Sequence, residues 1–240
     1  MKKVEGGFVN SVFKTNGTIT KIFEGEDLVD KSVEERLKRE ALALRRFGGV
    51  VAPALLRIGS DSIVQAFLSG VNAETLEQKP FYEAGRLLRQ VHVPIRRNPE
   101  YLRQHIEQRF NKAREKTIEM FDLTNVNMDV DWNEVFRFGT TRVHRDFWLG
   151  NIIVNDKDLR LIDWEFSGIG SPYEDFAIAE LWIFREYGGR EEFYAGYGRR
   201  PDQKTVEQFL KMKCIEFLAT YKGKDPIGFY RNKLEVLYSL

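Results

Sequence analysis

The residues best suited to chemistry lie in Val143-His144-Arg145-Asp146-Phe147-Trp148-Leu149-Gly150-Asn151 and, twelve positions after Asn151, at Asp163. An Asp, four residues and an Asn, then an Asp closing an apolar run, make a set of hard oxygen donors of the kind Mg²⁺ takes. Ile152-Ile153-Val154 and Leu159-Arg160-Leu161-Ile162 flank the polar turn Asn155-Asp156-Lys157-Asp158, which reads as a hairpin of two short strands. Such a hairpin returns Asp163 to the end where Asn151 leaves, with Asp146 on the loop leading in. The chemistry that needs this is phosphoryl transfer: metal ions bridging phosphates and an oriented acceptor hydroxyl, with little covalent work by the protein. On that reading Asp163 and Asn151 hold Mg²⁺ from two sides and Asp146 accepts the hydroxyl proton. Chance is the rival explanation of Asp146 and Asn151 taken alone; the hairpin and Asp163 argue against it.

The stretch resembles the aminoglycoside phosphotransferase and choline kinase superfamily. The superfamily's H-x-D-x-x-x-x-N, I-D-W/x-E/x and G-x-P-x-x-D-L-A elements stand here as His144 to Asn151, Ile162-Asp163-Trp164-Glu165 and Gly170-Ser171-Pro172-Tyr173-Glu174-Asp175-Phe176-Ala177. Phe176 replaces the usual Leu. The likeness is strong from about Val143 to Ala179 and thinner outside it. It implies an α+β, two-lobed protein-kinase-like fold, with a small antiparallel β-sheet N-lobe carrying one helix and a larger, mostly helical C-lobe. It also implies a small-molecule kinase that moves the γ-phosphoryl group of ATP, with Mg²⁺, to a hydroxyl of an amino alcohol, a sugar or an aminoglycoside-like acceptor. By the same resemblance Gly6 and Gly7 form a short phosphate loop. The Ala66 carbonyl and Leu68 N–H bind adenine, with Gln65 behind the base. Asp175 bonds the catalytic loop's backbone, and Leu87 to His92 ends a helix with a structural histidine.

Several elements must position these groups. Asn16-Gly17 is a two-residue hairpin signal, and Thr18-Ile19-Thr20-Lys21-Ile22-Phe23 beyond it is rich in β-formers. Lys21 lies inside that strand. Ser32-Val33-Glu34-Glu35 is a capping box. A helix from there to Phe47 puts Leu37, Ala41 and Leu44 on one face, and Glu40 shares it. A carboxylate aimed at the core needs a cation, and Lys21 is the expected partner in the kinase lysine–glutamate pair. Leu55 to Ile58 and Ser62 to Phe67 form a second hairpin. The expected division is residues 1–70 and 71–240, with a hinge at about 65–70. Helices are expected over Pro80–His92, Pro99–Phe121, Lys204–Tyr221 and Pro226–Leu240, with an acidic linker from Phe121 to Gly139.

Composition removes other classes. A formal net charge of +1 makes no electrostatic case for nucleic acid. One cysteine, Cys214, allows no internal disulfide and reads as a buried helix residue. The start lacks the apolar core of a signal peptide, and no apolar run is long enough for a membrane span, so a cytoplasmic protein is expected. The histidines lack zinc spacing with Cys. Residues 163–180 carry Asp163, Glu165, Glu174, Asp175 and Glu180 with no Lys or Arg. An acidic rim there favours a cationic acceptor. Glu192, Tyr194, Tyr197 and Glu216 are further candidate acceptor contacts. Two rivals stay open. A protein kinase is opposed by the very short segment after Asp163. A non-catalytic ATP-binding module is opposed by the complete set Lys21, Glu40, Asp146, Asn151 and Asp163.

Overall fold

The computed structural model describes residues 2–4, 10–25, 32–96, 99–137, 139–155, 158–220 and 228–240. The β-rich start folds as strands β1 (Lys2–Val4), β2 (Ser11–Thr15) and β3 (Thr18–Ile22), then helix α1 (Val33–Phe47), then β4 (Leu55–Ile58) and β5 (Ser62–Ala66). The five strands make one antiparallel sheet in the order β1-β2-β3-β5-β4. The β2–β3 turn works because Gly17 takes φ +74°, a left-handed conformation without penalty for glycine. In α1 the Ser32 hydroxyl accepts the Glu35 N–H at 3.3 Å. Glu34 and Glu35 in the first turn and Arg45 and Arg46 in the last complement the helix dipole. The buried face of α1 holds Leu37, Ala41, Ala43, Leu44 and Phe47, and also the charged Arg36 and Glu40.

Beyond β5 come β6 (Val71–Asn72), α2 (Phe81–Val91), α3 (Pro99–Met120), α4 (Trp132–Phe136), β7 (Thr141–Val143), β8 (Ile152–Val154), β9 (Leu159–Leu161) and β10 (Gly168–Gly170). The helical remainder is α5 (Tyr173–Ala179), a π-helical turn Glu180–Phe184, α6 (Arg185–Tyr187), α7 (Arg190–Tyr197), α8 (Gln203–Leu218) and α9 (Phe229–Tyr238). The expected β8–β9 hairpin is present, and β6 pairs with β8 on its other side. β10 pairs with β7. The core of this part gathers Leu88, Phe147, Leu149, Ile152, Leu161, Trp164, Phe176 and Phe193. Helices α2 and α7 cross unusually closely. A Cβ at Gly85 would drive into the carbonyl of Phe193, and one at Gly196 into the carbonyl of Tyr82.

The acidic stretch from Phe121 to Gly139 is not a plain linker. Asp131 caps α4 by accepting from the N–H groups of Asn133 and Glu134. Cys214 is buried on α8. No helix among the described residues is long and apolar enough to cross a membrane.

Candidate active site

The site is built on the β8–β9 hairpin. Ile152 faces Leu161 across the ladder, both fully buried. The Ile162 N–H extends the ladder by donating to the Asn151 carbonyl at 2.9 Å, which holds Asn151 and Asp163 at one end. Asn151 Nδ2 donates to the Asp146 carbonyl at 2.9 Å and to Asp146 Oδ2 at 2.7 Å. Among the described residues, Arg145 (φ +67°) and Asp163 (φ +64°) are the two non-glycine residues at positive φ. Such conformations cost on the order of 1–3 kcal/mol each and persist where the surroundings over-determine them.

The surroundings here are specific. Asp175, fully buried, accepts the N–H of His144 at 2.8 Å and of Arg145 at 2.6 Å. His92 joins Asp175 through Nε2 at 3.0 Å and Tyr197 through Nδ1 at 2.8 Å. His144 Nε2 lies 3.1 Å from the Ile162 carbonyl, and the Asp146 N–H points at His144 Nδ1 at 3.3 Å. Both bonds fit one neutral imidazole carrying its proton on Nε2. Burial lowers the His144 pKa in the same sense. His144 thus orders backbone, His92 steadies the Asp175 and Tyr197 side chains, and His105 is exposed.

Lys21, on β3, is 5% exposed and reaches three carboxylates: Glu40 Oε2 at 2.7 Å, Asp163 Oδ1 at 2.5 Å and Glu165 Oε1 at 3.7 Å. The expected Lys21–Glu40 pair is therefore present, and the same ammonium bridges to the β9 side. Burial alone would lower the Lys21 pKa; the carboxylates, Asp163 first, override it and hold the lysine above its ordinary value. Burial raises the Glu40 carboxyl against the pull of Lys21. Asp163 is held down by Lys21 despite burial. Asp146 is pushed up to about 7, by burial first and then by the charge of Asp163.

Sequence reasoning missed the second half of this cluster. Arg36, fully buried, donates from Nη1 to Asn10 Oδ1 at 2.9 Å and to Glu165 Oε2 at 3.1 Å. Its Nη2 donates to the carbonyls of Glu24 and Gly25 at 2.8 and 2.6 Å. Asn10 Nδ2 also meets both Glu165 oxygens, at 3.0 and 2.9 Å. Arg36 is four residues before Glu40, so helical periodicity already placed it inward.

Other expected residues divide. Ala66 ends β5, its N–H bonded to the Ala54 carbonyl at 2.8 Å, while no backbone bond engages the Leu68 N–H among the described residues. Gly6 and Gly7 lie outside the described residues. The acidic rim does not form as expected. Glu165, Glu174, Asp175 and Glu180 are each 5% exposed or less. They are spent on Arg36, Arg145, loop backbone and Arg190 respectively. Tyr194 and Tyr197 are buried, bonded to Glu180 and His92, and Glu216 pairs with Arg109 and Lys213. Glu192 is exposed.

The donors fit a hard cation held partly by substrate. The Asp163 side chain is 37% exposed, and Asn151, its nitrogen committed to Asp146, offers Oδ1. Among the described residues no cluster of three or more His, Cys, Asp or Glu makes an all-protein metal cage. Mg²⁺ does not need one, since it commonly binds one or two protein groups together with phosphates and waters.

A family model for the phosphotransferase enzyme family matches residues 1–210. No curated protein matches the chain. Among solved structures, the choline kinase LicA from Streptococcus pneumoniae is similar at 17% identity and TM-score 0.64, covering 100% of this chain and 94% of that one. A choline/ethanolamine kinase family protein from Mesorhizobium loti matches at 16% and 0.64, covering 98% and 86%. The ADP-bound aminoglycoside phosphotransferase APH(2'')-Ib matches at 15% and 0.63, covering 98% and 91%. At these identities the likeness is one of fold, and the fold is the two-lobed protein-kinase-like one that the catalytic stretch implied. With the family model spanning most of its length, the chain belongs to the phosphotransferase enzyme family.

Proposed function

We propose that the protein is a small-molecule kinase that transfers the γ-phosphoryl group of ATP to a hydroxyl of a small acceptor: an amino alcohol, a sugar or an aminoglycoside-like compound. The observation that carries this is the convergence of Lys21, Glu40 and Asp163, from β3, α1 and the end of β9, beside the Asp146–Asn151 pair. ATP as donor is supported by two of the similar structures, one ADP-bound and one a streptomycin–ATP–APH(2'')-IIa complex. In this reading Lys21 steadies the donor phosphates while Glu40 holds Lys21 in place. Asp163 and Asn151 would hold Mg²⁺, which would supply neutralisation of phosphate charge. Asp146 takes the acceptor's proton. A carboxyl raised to about 7 is nearer the acceptor-matching range for a general base than an ordinary Asp. Ala66 and Leu68, at the exit of the sheet, receive the base, and Gly6 and Gly7 cover the phosphates. Burial of four of the five acids of residues 163–180 removes the rim as an argument for a cationic acceptor, so a neutral hydroxyl compound stands equally.

The test is coupled ADP release with Mg-ATP across amino alcohols, sugars, amino sugars, nucleosides and aminoglycosides, with Asp146→Asn alongside. Acceptor-dependent release is expected in the wild type. In Asp146→Asn turnover falls by about two orders of magnitude or more while nucleotide binding survives, because the lost interaction belongs to the transfer step. Wild-type turnover in that variant would sink the assignment.

A further inference from the structure

Arg145 immediately precedes the proposed base and stands in the left-handed region. Asp175 secures its N–H; a second device secures its side chain. The guanidinium lays a fork on Glu174, Nε to Oε2 at 2.7 Å and Nη2 to Oε1 at 3.2 Å, and Nη2 also donates to the Ile169 carbonyl at 2.9 Å. Paired bonds of this kind fix orientation as well as charge. Two glycines make the room: a Cβ at Gly170 would strike the Glu174 carboxylate, and one at Gly168 would strike the Arg145 guanidinium.

Glu174 is fully buried and carries more than Arg145. Arg109 Nη2 approaches from α3 at 3.4 Å and Lys213 Nζ from α8 at 3.5 Å. Both cations continue to Glu216, at 2.7 and 2.8 Å. A line of buried charge thus runs from the catalytic loop through Glu174 into α3 and α8. Glu216 closes the far end, bonded to Arg109 and Lys213. The line meets the loop of Asp146 at the Arg145 guanidinium, so its link to chemistry runs through that loop's backbone.

We propose that Glu174 is a positioning residue for phosphoryl transfer, acting through the Arg145 guanidinium to hold the Arg145–Asp146 backbone in the orientation that presents Asp146 to the acceptor. The inference rests on the kinase reading above. Without the fork, Arg145 can relax towards negative φ, which turns the peptide joining it to Asp146. A displacement of about 1 Å at a reacting group can cost on the order of a hundredfold in rate.

The experiment compares Glu174→Gln with Glu216→Gln. Each removes one carboxylate charge from the same buried network, and each is expected to lower the melting temperature. Two readouts are taken well below both transitions: basal ADP release from Mg-ATP with water as acceptor, and hydrogen exchange of the backbone amides of residues 144–147. Glu174→Gln is expected to lower kcat roughly ten- to a hundredfold, with KM for Mg-ATP within about twofold and faster exchange at 144–147. Glu216→Gln is expected to leave kcat and those amides as in the wild type, and Glu174→Asp to recover part of the rate. If Glu174→Gln does not fold, Arg145→Lys, which keeps the charge and loses the fork, is expected to show the same split. Equal kcat in Glu174→Gln and Glu216→Gln, or unchanged exchange at 144–147 in the former, overturns the proposal. A wild type that releases no ADP from Mg-ATP with water or with any acceptor of the panel above instead sinks the kinase reading, and this inference with it.

Discussion

Glu40 is 1% exposed, and its nearest cation is Lys21 at 2.7 Å. Removing one partner of a buried ion pair leaves an uncompensated charge and typically costs about 3–5 kcal/mol, whereas replacing both by apolar groups is often near neutral. Lys21→Met should therefore lower unfolding stability by roughly 3–5 kcal/mol in urea titrations, and Lys21→Met with Glu40→Leu should recover most of it. The other carboxylates around Lys21 tolerate its loss better: Glu165 keeps Arg36 and Asn10, and Asp163 is partly in water. A double variant no more stable than the single one would contradict the pairing. This pair was legible in the sequence because helical spacing puts Glu40 inward and the kinase resemblance names Lys21 as its partner. Arg36 obeys the same spacing, but its partners lie far along the chain, Glu165 being 129 positions away, and no local pattern announces them. The acids of residues 163–180 misled for the same reason. Their cations, Arg145, Arg109, Lys213 and Arg190, come from outside the segment.

Elements defined by their own sequence emerged as expected: the Asn16-Gly17 hairpin, the Ser32-capped α1, the β8–β9 hairpin and the amphipathic α2. Those defined by a distant partner did not. β6, β7 and β10 are two or three residues long and exist as strands through pairing with residues far along the chain. The α2–α7 crossing is of this second kind, since a glycine inside a helix does not reveal which backbone will approach it. Gly85 meets the backbone of Phe193 and Tyr197, which cannot swing away as a side chain can. Gly85→Ala should therefore destabilise by about 3 kcal/mol, the upper part of the range for overpacking, despite the better helix propensity of alanine. Arg86→Ala, one residue on and exposed, should stay within about 0.5 kcal/mol. Because α2 leads into His92, which meets Asp175, and α7 ends at Tyr197, which meets His92, the strain should also reach the His144–Asp146 loop that Asp175 holds. Thermal melts of the two variants check the first claim; an unshifted melt for Gly85→Ala would mean the helices can part at little cost.

At the largest scale, α3, α5, α8 and the loop at Arg145 are tied by buried charge as well as by apolar packing, and that has a pH signature. Arg109 and Lys213 override the upward push of burial on Glu216 and hold its carboxyl at about 2, against 4.5 for the free group. As pH falls, the unfolded chain takes up this proton near 4.5 while the folded chain resists until about 2. Within that window the unfolded state binds more protons, so stability rises with pH. The contribution of Glu216 is complete above about 4.5 and gone below about 2. At about 1.4 kcal/mol per unit its size is on the order of 3 kcal/mol. Glu174 is shifted in the same direction, held well below the usual range by Arg145, Lys213 and Arg109 against its burial. Unfolding free energies of wild type and Glu216→Gln, measured from pH 7 downwards, should differ by a constant amount to about pH 4.5 and then converge. Because the pairs are buried, added salt should change the neutral-pH gap little. Parallel curves down to pH 2 would mean that Glu216 is no better stabilised in the folded chain than in the unfolded one, and that Arg109 and Lys213 do not hold its charge as their contacts imply.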